Sequence, residues 1–205
     1  MSEILNMVTT TIFINGEACD FETLTLRQSM SGHHTFNILV NYKPNKPSLW
    51  TVTPETVFQQ LGHTVDIHME HRGNGEITEF TGLVTHIEIG GKDGDQGYAR
   101  IHGGSPTLLL DMGPSMGSYT DYTLHNILSE ELENTGVRMG VSNKPKFEAI
   151  IPYAVKYKET SFQFLARLAA SCGEWFYYDG SRLVLGNPKN QNTTQAAFDI
   201  EIQSL

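Results

Sequence analysis

The stretch Tyr157–Gly186, YKETSFQFLARLAASCGEWFYYDGSRLVLG, constrains this chain more than any other. Thr160 and Gln163 have the spacing of a capping box, in which each side chain satisfies a free backbone N–H in the first turn of a helix. Phe162, Leu165, Ala169 and Cys172 then recur at intervals of three, four and three, and Phe164 and Leu168 widen that stripe. This spacing gives a helix over residues 161–172 one broad apolar face. Gly173 suits the left-handed conformation that ends a helix. Glu174–Tyr178 reads as a strand, Asp179-Gly180 as a two-residue type I′ turn, and Ser181–Leu185 as the returning strand. The helix must bury its stripe, so Phe162 and Leu165 are expected against the hairpin that follows.

The remainder of the chain reads first as β and then as mixed. Val8–Ile14 is a strand, Asn15-Gly16 a hairpin turn, and Ala18–Phe21 the return. Thr23–Met30 alternates around Leu24 and Leu26. In Thr35–Tyr42 the period of two is cleanest, with Phe36, Ile38, Val40 and Tyr42 on one face. Lys43–Pro47 breaks the pattern, and Pro54–Leu61 suits a short helix capped by Thr53 and ended by Gly62. Thr64–His71 alternates again, and Glu76–Ile89 is a long strand bent at Gly82. Gly90–Gly97 is a loop tip and Tyr98–Ile101 pairs back. These short antiparallel strands are spaced like those of a barrel or sandwich.

The pattern changes after His102-Gly103-Gly104. Asp111–Gly117 is a turn-rich linker. Asp121 or Thr123 caps a helix carrying Leu124, Ile127, Leu128 and Leu132, whose Glu130, Glu131 and Glu133 form a solvated face. Residues 144–157 return to a β-like pattern around Ile150, Ile151, Tyr153 and Val155. The expected fold class is therefore α+β, mainly β. An antiparallel barrel-like domain over residues 1–105 precedes a small α+β domain over 106–205, with two short helices and a hairpin. Ala197–Ile202 reads as one more strand. It either adds to the first domain or begins a domain that lies beyond residue 205.

Charge and composition exclude several functions. A net charge of −9 and a pI of about 5.3 repel phosphate, and no basic run offsets this, so nucleic acid is not an expected partner. No apolar run approaches the roughly 20 residues of a membrane span. MSEILNMVTT lacks the basic start and apolar middle of a signal peptide, which points to folding in the cytoplasm. Cys19 and Cys172 form no CxxC and no disulfide framework, and both read as structural. Among the eight histidines, His68 and His71 are three apart, which in a strand puts them on opposite faces. His33-His34 falls in a loop before a strand. There is no HExxH and no His-Cys cluster, so no metal site is expected. Gly113–Gly117 lacks the Lys-Ser/Thr of a phosphate loop. Lys92–Gly97 lacks the terminal Glu of a calcium loop, and no Gly-x-Ser-x-Gly is present. No catalytic, cofactor-binding or metal residue is assigned, and no enzyme is expected. The aromatic run Trp175–Tyr178 reads as a core strand, or as a contact face where Trp and Tyr are enriched.

Three stretches resemble one family. Phe80-Thr81-Gly82-Leu83-Val84-Thr85 resembles its F-x-G-x-V-T strand. Ser118–Leu124, leading into Ile127-Leu128, is similar to one of its short helices. Tyr157–Leu168 followed by Gly173–Tyr178 is similar to its second helix and hairpin. The three occur in the family's order, and the family is that of VgrG proteins, the spike proteins of type VI secretion, with the related tail-hub proteins of contractile phages. The resemblance implies a non-catalytic hub region with no cofactor. It forms a homotrimer in the full-length protein, meets tail-tube and baseplate proteins, and carries effectors on a spike. It further implies a second barrel and a spike domain after this region, so that the spike lies outside these residues. A phage tail-hub or late-control protein of the same architecture is one alternative. A stand-alone β-rich module, for instance for carbohydrate, is the other.

Overall fold

The Asn15-Gly16 pair sets up the first hairpin: both residues take positive φ, 53° and 79°, as a type I′ turn requires. It joins strands β1 (Val8–Ile14) and β2 (Glu17–Cys19). The computed structural model describes residues 8–41, 57–72, 75–90, 97–187 and the pair 202–203. Its described residues fall into two compact units, one drawn from 1–27, 35–104 and 199–205, the other from 28–34 and 105–198.

The first unit is one eight-stranded antiparallel sheet, curled as a half-barrel. It adds β3 (Thr23–Arg27), β4 (Thr35–Asn41), β5 (Thr64–His71), β6 (Ile77–Gly90), β7 (Tyr98–Gly104) and the short β13 (Ile202–Gln203). The strand order is β13-β3-β4-β7-β6-β5-β1-β2. Register follows from two rows of apolar side chains placed directly opposite one another. Cys19, Ile12, Ile67 and Phe80 form one row across four strands. Leu24, Ile38, Ile101 and Ile87 form the other. All eight are buried. A slip of one residue in any strand would turn its row to the opposite face, so the rows fix the pairing.

Phe36 explains two glycines. A Cβ on Gly82 would stand 2.7 Å from its Cε1, and a Cβ on Gly103 would stand 2.3 Å from its Cζ and 2.0 Å from the Leu83 carbonyl oxygen. The ring therefore lies over two positions that admit no side chain, and it meets Phe80 edge-on at 6.0 Å. The irregularity expected at Gly82 occurs instead between Val84 and His86, where the register with β7 shifts by one residue. β7 runs on through His102-Gly103-Gly104, where the sequence pattern had ended it. The Ile202–Gln203 pair is hydrogen-bonded to β3 opposite Leu24 and Thr23, so the final strand joins the first sheet. Of the helix expected over 54–61, residues 57 and 58 are helical and 59–62 form a turn that ends at Gly62, φ 78°; residues 54–56 lie outside the described residues, as does Tyr42.

The second unit includes a 3-10 turn, Pro106–Asp111, and a strand β8 (Ser115–Thr123) that replaces both the end of the linker expected over Asp111–Gly117 and the helical reading of Ser118–Thr123. Helix α1 (Leu124–Thr135) is capped by Thr123, whose hydroxyl accepts the Asn126 N–H, and ends at Gly136 with φ 66°. β9 (Gly140–Lys144) and β10 (Ile150–Glu159) follow. Helix α2 (Ser161–Ser171) carries the capping box at both partners, and Gly173 takes φ 72°. The hairpin is β11 (Phe176–Tyr178) and β12 (Arg182–Gly186). Its turn lies one residue later than Asp179-Gly180, because Tyr178 pairs with Leu183 and the Asp179 carboxylate accepts the N–H groups of Ser181 and Arg182. β12 pairs on its other edge with β9 in parallel, and β8 pairs with β10 as a separate antiparallel ribbon. The core lies where Leu124, Ile127 and Leu128 of α1 meet Phe164, Leu165 and Ala169 of α2, with Leu183 and Leu185 of the hairpin. Cys172, expected inside this core, is only half-buried at its edge.

Candidate functional site

The polar residues that look most like chemistry lie in the second unit, and they form two clusters. The first is built on α1 and β10. Lys156 Nζ donates to both carboxylate oxygens of Glu131 at 2.7 Å, and the Tyr119 hydroxyl donates to Oε1. Glu131 is fully buried and Lys156 nearly so, which corrects the reading of Glu131 as part of a solvated face. Helical spacing explains the difference: Glu131 follows Ile127 and Leu128 by four and three residues and shares their inward face, while Glu133 remains exposed. Burial alone would raise the Glu131 pKa, but hydrogen bonds from Lys156, Ser161 and Tyr119 outweigh it, and the carboxyl is held below its usual range. Burial, then the bond to Glu131, pushes the Tyr119 phenol upward. This is a satisfied ion pair inside a core. The Tyr119 and Phe164 rings stack beside it, 5.7 Å apart.

The second cluster joins residues 28–34 to the 3-10 turn. His33 Nε2 stands 2.7 Å from Asp111 Oδ2 and Nδ1 stands 2.8 Å from Thr107 Oγ1. Thr107 Oγ1 lies 2.7 Å from Ser105 Oγ, which accepts the His34 N–H. With the proton on Nε2, His33 donates to Asp111 and accepts from Thr107. Carboxylate, imidazole and hydroxyl in that order resemble an activated nucleophile. The hydroxyls contradict it: Thr107 and Ser105 have no exposed surface, and Phe162 covers the imidazole with ring centroids 4.3 Å apart. Asp111 also accepts the Thr160 hydroxyl, so the cluster ties the 28–34 segment to the cap of α2. Its work is positional. The sequence placed His33 and His34 in a loop without these partners, because Thr107 and Asp111 lie more than seventy residues away.

The accessible features are of another kind. On the outer face of the β8–β10 ribbon, Tyr157 stands opposite Met116, Val155 opposite Ser118 and Tyr153 opposite Thr120. Tyr153, Tyr157 and Met116 are each more than 60% exposed. Beside β10 runs an open groove of about 480 Å³, lined by Phe147, Ile151, Tyr153, Leu168 and Cys172 among others. Arg167 crosses its edge, donating to the Val155 carbonyl at 2.9 Å and to Glu159. Of the aromatic run, Tyr177 and Tyr178 are buried and Trp175 is half-exposed. Aromatic and methionine side chains on a rigid strand pair suit contact with protein. Cys19, buried with its thiol pushed up to about 12 by burial and then by Asp20, is inert. Among the described residues no group of three or more His, Cys, Asp or Glu side chains is placed so that it could hold a metal ion, and no helix is long and apolar enough to cross a membrane.

The same architecture occurs in tail proteins. The 43 kDa tail protein of prophage MuSo2 from Shewanella oneidensis is similar at a TM-score of 0.65 and 18% identity, over 88% of this chain and 53% of that one. The E. coli c3393 protein, described as a component of the type VI secretion system similar to T4 phage tail proteins gp27 and gp5, matches at 0.63 and 16%, over 87% and 49%. In the Francisella PdpA–VgrG complex the figures are 0.63 and 12%, over 97% and 32%. The chain thus spans about half the length of the tail proteins it resembles. No curated protein matches it in sequence. The model of one family, phage tail baseplate hub (GPD), matches residues 49–201, well over half the chain, and reaches into both of its units. The chain belongs to the phage tail baseplate hub (GPD) family.

Proposed function

We propose that this chain is the hub region of a contractile injection machine, in a VgrG-like spike protein of type VI secretion. A phage tail hub of the same architecture is the second reading, favoured by the family's own description and by the likeness to prophage tail protein. The carrying observation is that one hub-family model runs from the half-barrel sheet through the capped helix. The two units, which divide near residue 105 apart from residues 28–34 and 199–205, act as domains. The role is mechanical and non-enzymatic: the clusters that resemble catalytic groups are buried and saturated by their own neighbours. The full-length protein is a homotrimer that meets tail-tube and baseplate proteins and carries effectors on its spike. It assembles in the cytoplasm and is delivered with the machine. Nucleic acid is no partner of so acidic a chain.

A specific interface buries about 800 Å² on each partner and must also offset the entropy of association. Intertwining of the spike supplies most of that in this reading. Light scattering should therefore find the 205-residue chain monomeric or weakly associated and the longer spike-bearing protein trimeric. A longer protein that stays monomeric rules the hub reading out. A tight dimer of the short chain favours a stand-alone binding module.

A further inference from the structure

Among the described residues β10 pairs with β8 alone, and its other edge opens on the groove beside α2. The Val155 carbonyl accepts from Arg167 and the Tyr157 N–H donates to Glu159, so both groups point away from β8. In an antiparallel strand alternate residues turn both backbone groups the same way. The N–H and C=O of Tyr153 therefore point into the groove too, and neither finds a partner there among the described residues. Beyond Val155 the edge is closed. Arg167 covers the carbonyl, and the irregularity between Tyr157 and Glu159, with Lys158 at φ 50°, ends regular pairing. What stays open is a short strand edge centred on Tyr153.

We propose that this edge takes an extended segment of another protein, apolar in its middle and acidic at its end, as a third strand of the ribbon. Main-chain hydrogen bonds to Tyr153 hold such a segment, and its alternate side chains enter the groove. At about 480 Å³ the groove is within the roughly 300–1,000 Å³ of ligand pockets. Ile151, Leu168 and Cys172 give it an apolar wall, and no carboxylate lines it. Charge selects the end of the segment. Arg167 is exposed; its Nε and Nη2 serve Glu159 and Val155, while Nη1 makes no hydrogen bond among the described residues. Lys158 stands next to Glu159 on β10, its Nζ over the Tyr157 ring. Two cations against one carboxylate leave this end of the groove positive, on a chain of net charge −9. A carboxylate of the segment reaches Arg167 Nη1. The site lies within the second unit and is independent of the hub reading.

The test is titration of the isotope-labelled chain with an octapeptide of alternating valine and threonine flanked by glutamates, followed by the Tyr153 amide resonance. That resonance should shift in a saturable way and its hydrogen exchange should slow. Of two copies of the peptide N-methylated at alternate residues, one should fail to bind, because it cannot donate to the edge. Lysines in place of the glutamates, or Arg167→Gln, should weaken binding about tenfold, the scale of one charge-assisted hydrogen bond. Arg182→Gln, at an exposed position of β12, should change nothing. No shift at Tyr153, or equal binding by both methylated copies, would overturn the proposal. So would a Tyr153 shift that appears on raising the protein concentration alone, since the edge then pairs with a second copy of this chain.

Discussion

Glu131 and Lys156 make the clearest case at the scale of single residues. Their pairing costs desolvation that only complete hydrogen bonding offsets, and Tyr119 and Ser161 complete it. Lys156→Met should leave an unpaired buried carboxylate and destabilise the chain by about 3–5 kcal/mol in urea unfolding, whereas Glu131→Leu with Lys156→Met should recover most of that loss. If the double variant is as unstable as the single one, the pair does more than satisfy itself. The pH dependence has a definite sign. The Glu131 pKa is lowered on folding, so its contribution is in place above the ordinary carboxylate value of 4.5 and is lost as pH falls through the lower folded value. Urea melts from pH 7 downward should show Glu131→Gln losing less stability than the unmodified chain across that acid range. Equal acid losses in the two would remove Glu131 from the account. The sequence could not reveal this pair: three glutamates in a run of four read as a charged face, and the lysine lies on another element twenty-five residues on.

Among the elements, α2 was fully legible and others were not. Its cap, stripe and terminating glycine are all local, so three- and four-residue spacing determined them. Leu165 is 1% exposed, and Leu165→Ala should cost about 2–5 kcal/mol; a loss below about 0.5 kcal/mol would mean that the stripe meets no core. Thr160→Ala removes both the cap of Gln163 N–H and the donor to Asp111, and should cost about 1–2 kcal/mol by the same measurement. A loss no larger than that of an ordinary surface substitution would separate the cap from the His33 cluster. β8 escaped the sequence reading because SMGSYTDYT has a single fully buried residue, Tyr119, and so no alternation. β9 escaped it because its partner, β12, pairs in parallel from about forty residues away. Residues 28–34 read as the end of one strand and the loop before the next, yet they group with the second unit, where His33 meets Asp111 and Thr107. The Phe80-Thr81-Gly82 motif was visible as sequence, but its cause, the Phe36 ring over two glycines, was not.

At the scale of the whole molecule, the proposed role is that of a mechanical part. The two polar clusters of its second unit are satisfied by their own neighbours, and its accessible aromatic face suits protein contact. Family membership gives the setting, a baseplate hub, and leaves the symmetric role as the proposal. The most direct measurement is electron microscopy with peptide mass spectrometry on contractile particles purified from the producing cells. The chain should be present in the particles, at the junction of tube and spike, in density with threefold symmetry that accepts the half-barrel sheet and the capped-helix unit. Intact particles from which the chain is absent, or in which it lies away from that junction, would contradict it.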